Sequence, residues 1–168
     1  MDRVFVYARA NVVQRAMRRF AASGFGARLF APVLHRIDRP VFRLTRGRAT
    51  LGSLVSGLPV VMLTTTGARS GRPRTVPVLG LPTPDGLAVI ASNWGRRGPP
   101  AWEANLRADP VARVAIGGAV RRVRAAETVG EQRERIWREG LEVYPGWSGY
   151  ARRATGRRIA VFLLREAD

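Results

Sequence analysis

A chain of 168 residues with a hydrophobic fraction of 46% is long enough for one domain with a sizeable core. It has no cysteine, and all 29 basic residues are arginine against 12 acidic ones, for a formal net charge of +17. These counts exclude disulfides, thiolate catalysis and cysteine-held metals, and the absence of lysine excludes Schiff bases and the lysine of a Walker loop.

The cationic excess favours an anionic partner, whether a phosphorylated or carboxylate-rich ligand, an anionic membrane or nucleic acid. Residues 1–50 alone carry a net +9. In that stretch Val6, Ala10, Val13, Met17 and Phe20 recur at helical spacing, with Arg9, Arg15, Arg18 and Arg19 off the stripe. A second helical pattern runs through Phe30, Val33, Leu34, Ile37 and Val41 and bends at Pro40. The expected organisation is a basic amphipathic helical segment over 1–50 and a folded domain over 51–168. Such a segment suits an anionic leaflet; it equally suits packing on the domain with its arginines in water. No apolar run reaches the roughly 18 to 20 residues of a membrane span, and arginines interrupt the N-terminus too often for a signal peptide. The expected location is the cytoplasm, peripheral to the membrane at most. The single histidine, His35, has no carboxylate cluster near it and reads as a helix-surface residue; no metal site is expected.

From Leu58 the period changes. "LPVVMLTTT" is a β-branched run, "RTVPVLGLP" alternates, and "GLAVIASN" follows a Pro-Asp-Gly turn, which predicts three strands joined by short turns. "PPAWEANLRADP" opens on prolines and closes on Asp-Pro, framing a short helix that carries Trp102 and Leu106. "VARVAIGGAVRRVRAAE" reads as a hairpin around Gly117-Gly118, "TVGEQRERIWREGLEVY" as a helix capped by Thr128, and "RRIAVFLLRE" as a closing strand. Six strands without regular βαβ alternation predict a small antiparallel barrel rather than a doubly wound sheet.

Three segments could carry chemistry. In "TTTGARSGRPR", Gly67 and Gly71 would let backbone N–H groups face a ligand, Ser70 adds a hydroxyl, and Arg69, Arg72 and Arg74 add forked donors for phosphate or carboxylate. The segment reads as an anion cradle or as an ordinary solvated turn. In "ASNWGRRGPPAW", Ser92 and Asn93 stand at a predicted strand end, a usual place for a binding loop. In "YPGWSGY", Tyr144, Trp147 and Tyr150 are spaced three apart, as for core packing on a helix; Gly146 and Gly149 argue instead for a flexible aromatic wall over a planar ligand. Glu131, Glu134, Glu139 and Glu142 lie among arginines and read as a solvated helix face. No serine, histidine and acid set is available, so an enzyme of this composition needs a cofactor for the difficult chemistry. Nucleic acid is not expected, because the aromatics do not alternate with arginines as a stacking platform would.

In this order, "TTTGARSGRPRTVP", "VIASNWG" with "PPAWEANLRADP", and "YPGWSGY" resemble the deazaflavin (F420)-dependent nitroreductase family over roughly Pro59 to Glu166. The resemblance implies an α+β fold, a six-stranded antiparallel split β-barrel with surrounding helices, and an oxidoreductase that moves a hydride from reduced coenzyme F420 to a small acceptor such as a quinone, enone or nitro compound. It implies that Arg69, Ser70, Gly71 and Arg74 hold the coenzyme's phosphate and acidic tail. Pro77 and Ala91, Ser92 and Asn93 would border the ring, Trp102 and Asn105 would flank the cofactor site, and Tyr144, Trp147 and Tyr150 would face the substrate. Ser92 and Tyr150 are the hydroxyls expected to orient the acceptor or relay a proton. Asn93 stands where family members often carry lysine, Glu103 where a tyrosine is expected, and Trp147 where a substrate-side tyrosine is; these departures point away from nitroimidazole reduction. Split barrels also hold FMN or haem and often dimerise, so FMN is the alternative cofactor and a homodimer the expected assembly.

Overall fold

Residues 58, 60–154 and 156–167 are described in the computed structural model; the helices expected within 1–50, and His35, lie outside them. The β-branched run from Leu58 gives β1 (Val60–Thr66), the alternating run β2 (Pro73–Thr83), and the segment after the Pro-Asp-Gly turn β3 (Gly86–Ile90). The prolines and Asp-Pro frame α1 (Ala101–Ala108); β4 (Val111–Ile116) and β5 (Ala119–Glu127) form the Gly-Gly hairpin. Then come α2 (Gly130–Val143), α3 (Gly146–Arg153) and the closing strand β6 (Val161–Glu166).

The strands close in the order β1-β2-β3-β6-β5-β4, with β4 pairing back onto β1 and every pair antiparallel. The expected six-stranded barrel is therefore what forms. Alternation along each strand divides the apolar residues into two sets. Val61, Leu63, Val89, Val114 and Phe162 fill the interior, where α1 adds Leu106 and Trp102, whose ring meets Phe162 edge-on at 6.0 Å. Ala88, Ile90, Val161 and Leu163 point outward from β3 and β6 and are covered by Ile136 of α2 and by Trp147 and Tyr150 of α3.

One local expectation needs correction. Thr128 does not cap α2: the helix begins at Gly130 after Val129, with no side-chain cap. The Thr128 hydroxyl instead donates to the carbonyl of Val161 at 3.1 Å and ties the end of β5 to β6. Of the two readings of the aromatic segment, packing on a helix is what forms: from Gly146 onward it is α3, in which the burial of Trp147 and Tyr150 outweighs the low helix propensity of Gly146 and Gly149.

Candidate functional site

The turn between β1 and β2 is held from inside. Gly67 N–H donates to Arg72 O, and Ser70 and Gly71 N–H both donate to Gly67 O. Asn105, buried on α1, accepts from Ala68 N–H through Oδ1 and donates through Nδ2 to the buried Thr65 hydroxyl, both at 2.9 Å. The expected backbone cradle is thus not open, since most of these N–H groups are spent within the turn or on Asn105. What the turn offers outward is side chains: Arg69, Arg72 and Arg74 are exposed. Among the described residues no carboxylate lies within ion-pair distance of any of them. Forked cations without counter-charge suit phosphate and carboxylate groups, so the donor set fits a coenzyme with an anionic tail. Beside the turn a cleft of about 190 Å³ is lined by Thr64, Thr66, Pro73, Asp109, Arg113 and Arg122, smaller than the roughly 300 to 1,000 Å³ of a ligand pocket.

Past β3 the chain makes a tight 3₁₀ turn over Asn93–Gly95, in which Asn93 and Trp94 take φ of 46° and 58°. Two successive non-glycine residues in the left-handed region cost on the order of 1 kcal/mol or more each, a strain that concentrates at functional sites. The turn is braced on several sides. The Asn93 amide donates to Gly98 O at 2.9 Å, and the Trp94 ring lies 6.2 Å from that of Tyr150. Arg157, on the α3–β6 connection, donates to Ala91 O at 3.0 Å and to Ser92 O at 3.3 Å. Ser92 is half-buried, and its hydroxyl has no partner among the described residues. Gly95, at φ +75°, packs so closely on α3 that a Cβ would stand 2.9 Å from the Cα of Tyr150. Gly95→Ala is therefore expected to lower stability by roughly 2 to 3 kcal/mol, read by urea unfolding; a variant with an unchanged midpoint would show that the turn relaxes freely.

The sequence-predicted residues separate into two groups. Arg69, Ser70 and Gly71 lie on the exposed turn, exposed Arg74 stands at the start of β2 with half-buried Pro77 further along it, and Ala91, Ser92 and Asn93 follow the end of β3. Trp102 and Asn105 are buried on α1 and act from behind: Asn105 spends its amide on the turn, and Trp102 packs in the barrel. Tyr144, Trp147 and Tyr150 are packed rather than displayed, each 2–3% exposed. The Tyr144 and Tyr150 hydroxyls bond one another at 2.9 Å, and burial pushes the Tyr150 phenol well above its ordinary value.

Arg157 and Glu103 are functional candidates that sequence reasoning missed. Arg157 lies 66 residues from Ala91 in sequence, so no local pattern marks it. Glu103 is buried on α1 between Arg107 at 3.0 Å and Arg157 at 3.7 Å. Desolvation raises its carboxyl above the ordinary 4.5, outweighing the two guanidiniums that lower it. Between 4.5 and the folded-state value the folded protein keeps a proton that the unfolded chain has released. Stability from this group is accordingly full at the acid end of that window and declines as pH rises through it. Thermal melts at stepped pH should show wild type losing stability relative to Glu103→Gln as pH rises across the window; a constant difference would count against the shift.

Among the described residues no helix is long and apolar enough to cross a membrane, and no group of three or more metal-ligating side chains gathers. Comparison with known proteins agrees with this geometry. The family profile described as F420H(2)-dependent quinone reductase matches residues 34–166. The Mycobacterium tuberculosis protein Rv3178, named for F420H(2)-dependent quinone reduction, is 29% identical over 108 residues, covering 64% of this chain and 90% of that protein. A solved F420-H2 dependent reductase, FDR-A, superposes with a TM-score of 0.59 at 37% identity, over 64% of this chain and 94% of its own. A second solved structure, described as a domain-swapped dimer, gives a TM-score of 0.61 at 34% identity, over 76% of this chain and 95% of its own. A barrel of six antiparallel strands, two solved structures superposed on it at 34% and 37% identity and a profile match running to the end of β6 agree on one assignment: this chain belongs to the F420H(2)-dependent quinone reductase family, oxidoreductases whose cofactor is coenzyme F420.

Proposed function

We propose that this protein reduces quinones, and related enones or nitro compounds, with the hydride that reduced F420 supplies when bound. The observation that carries the reading is the turn at 67–72, whose arginines face outward without a described counter-charge while buried Asn105 fixes its backbone. In this reading Arg69 and Arg74 grip the phosphate and carboxylates by paired N–H donors, with the Ser70 hydroxyl beside them and Gly71, at φ 62°, giving the turn its shape. Pro77 and Ala91–Asn93 border the ring plane. Trp102 and Asn105 hold these two segments in place from α1. The protein's remaining task is to keep the reacting carbons about 3 to 3.5 Å apart and exclude water.

Ser92 is the group assigned to orient the acceptor or pass it a proton, because its hydroxyl is not taken up by any described partner. Tyr150 is assigned to the wall behind Trp94 rather than to proton delivery, since its hydroxyl is bonded to Tyr144 and held as the phenol. Tyr144 and Trp147 back that wall. Residues 1–50, with their net +9, are assigned to an anionic leaflet, from which apolar quinones could be drawn. A homodimer is the proposed assembly.

The test is a fluorescence titration with oxidised F420, run beside FMN and a short oligonucleotide at moderate salt, followed by turnover with a quinone. Saturable binding of the deazaflavin alone, with quinone-dependent oxidation of its reduced form, is the expected result. Binding of FMN alone would keep the fold and replace the cofactor; binding of the oligonucleotide alone would sink the enzyme reading.

A further inference from the structure

We infer that Arg157 is a positioning residue for hydride transfer: by gripping the carbonyls of Ala91 and Ser92 it fixes the strained turn that presents Ser92 at the reaction site. The inference rests on the proposed placement of the coenzyme beside Ala91–Asn93.

After Ile90 the chain leaves the sheet. Ala91 N–H still donates across to Ala160 O, while Ser92 N–H turns back to Ile90 O and the carbonyls of Ala91 and Ser92 both go to Arg157. The next two residues hold the left-handed φ values that disfavour ordinary side chains, so the turn persists only where its surroundings over-determine it. A guanidinium is suited to this task, because its planar fork reaches two acceptors at fixed spacing, which the single ammonium of a lysine does not. Arg157 is itself held: its side chain is 14% exposed and faces Glu103, which Arg107 grips from the other side. One point thus ties the α3–β6 connection, the strand end and α1 together. Arg157 acts through Ser92 and needs no contact with the acceptor.

A purely structural arginine would affect folding and leave the chemistry of folded molecules unchanged. Two variants separate the cases. Arg157→Lys keeps the charge opposite Glu103 but loses the fork, and Glu103→Gln with Arg157→Met removes both charges so that neither is left buried alone. F420 affinity is measured by fluorescence, and single-turnover hydride transfer to a quinone by stopped flow at saturating coenzyme. The expected result is affinity within about threefold of wild type, because the tail is held at 67–74, with transfer slowed by roughly 10- to 100-fold, as small misplacements of reacting groups do. The isotope effect from deuterated F420 should persist in the slowed step. A folded variant that transfers at the wild-type rate would overturn the inference, and Arg157→Lys decides alone if the double variant does not fold. Arg69→Glu with Arg74→Glu is the control. If it leaves affinity unchanged, the coenzyme placement is what fails; if it weakens binding while both Arg157 variants transfer normally, the positioning role is what fails.

Discussion

Reversing the charge of Arg69 and Arg74 together is expected to weaken F420 binding by at least about 100-fold, with the fold intact. Each charge-assisted hydrogen bond contributes about 1.5 to 3 kcal/mol, so losing two removes about 3 to 6 kcal/mol, and each 1.4 kcal/mol is tenfold. Both side chains are exposed, on a turn whose backbone is held by Gly67 O and Asn105 rather than by the arginines, which is why the melting temperature should barely move. Changing both to lysine should cost less, because charge survives while the paired geometry is lost. Wild-type affinity should also fall as salt rises, and that dependence should be weaker in the charge-reversed variant. Titration of the two variants at two salt concentrations settles the matter: an unchanged dissociation constant would mean that the turn is an ordinary solvated one.

How far these features were legible depended on the range of the interactions behind them. The strands could be read because β-branched alternation and turn residues act locally, and β1, β2, β3 and the Gly-Gly hairpin all follow that signal. The arginine turn was visible as a cluster of donors, but the spending of its N–H groups was not, since Asn105 reaches back 37 and 40 residues to Ala68 and Thr65. Thr128 carried a cap signal that tertiary contact overrode when Val161 offered its carbonyl. Glycines 146 and 149 spoke against a helix, yet the apolar face of Trp147 and Tyr150 had the outer faces of β3 and β6 to cover. Arg157 gave no signal at all and Glu103 stood out only as a departure from the family pattern, because their meaning lies in a contact made only once the barrel has closed.

Trp147→Ala is expected to cost about 3 to 5 kcal/mol, as large-to-small changes of buried aromatics do, and to lower the melting temperature by on the order of 10 °C. Trp147 is 2% exposed, meets Tyr144 edge-on at 5.7 Å, and lies so close to α2 that a Cβ on Gly140 would stand 2.9 Å from its ring. The space left by the indole could be refilled only if α2 and α3 moved together, and α3 also carries Tyr150, against which Trp94 of the strained turn rests. Stability is therefore the first loss; a slower reaction in the molecules that stay folded would be the second, transmitted through the turn. Trp147→Phe should recover most of the melting temperature and nearly all of the rate. The substrate-facing alternative makes the opposite forecast: with the indole against the acceptor, Trp147→Ala would melt close to wild type while the KM for the quinone rose and F420 affinity held. Melting curves and quinone KM values for both variants decide between a wall that touches the substrate and a core that holds the wall.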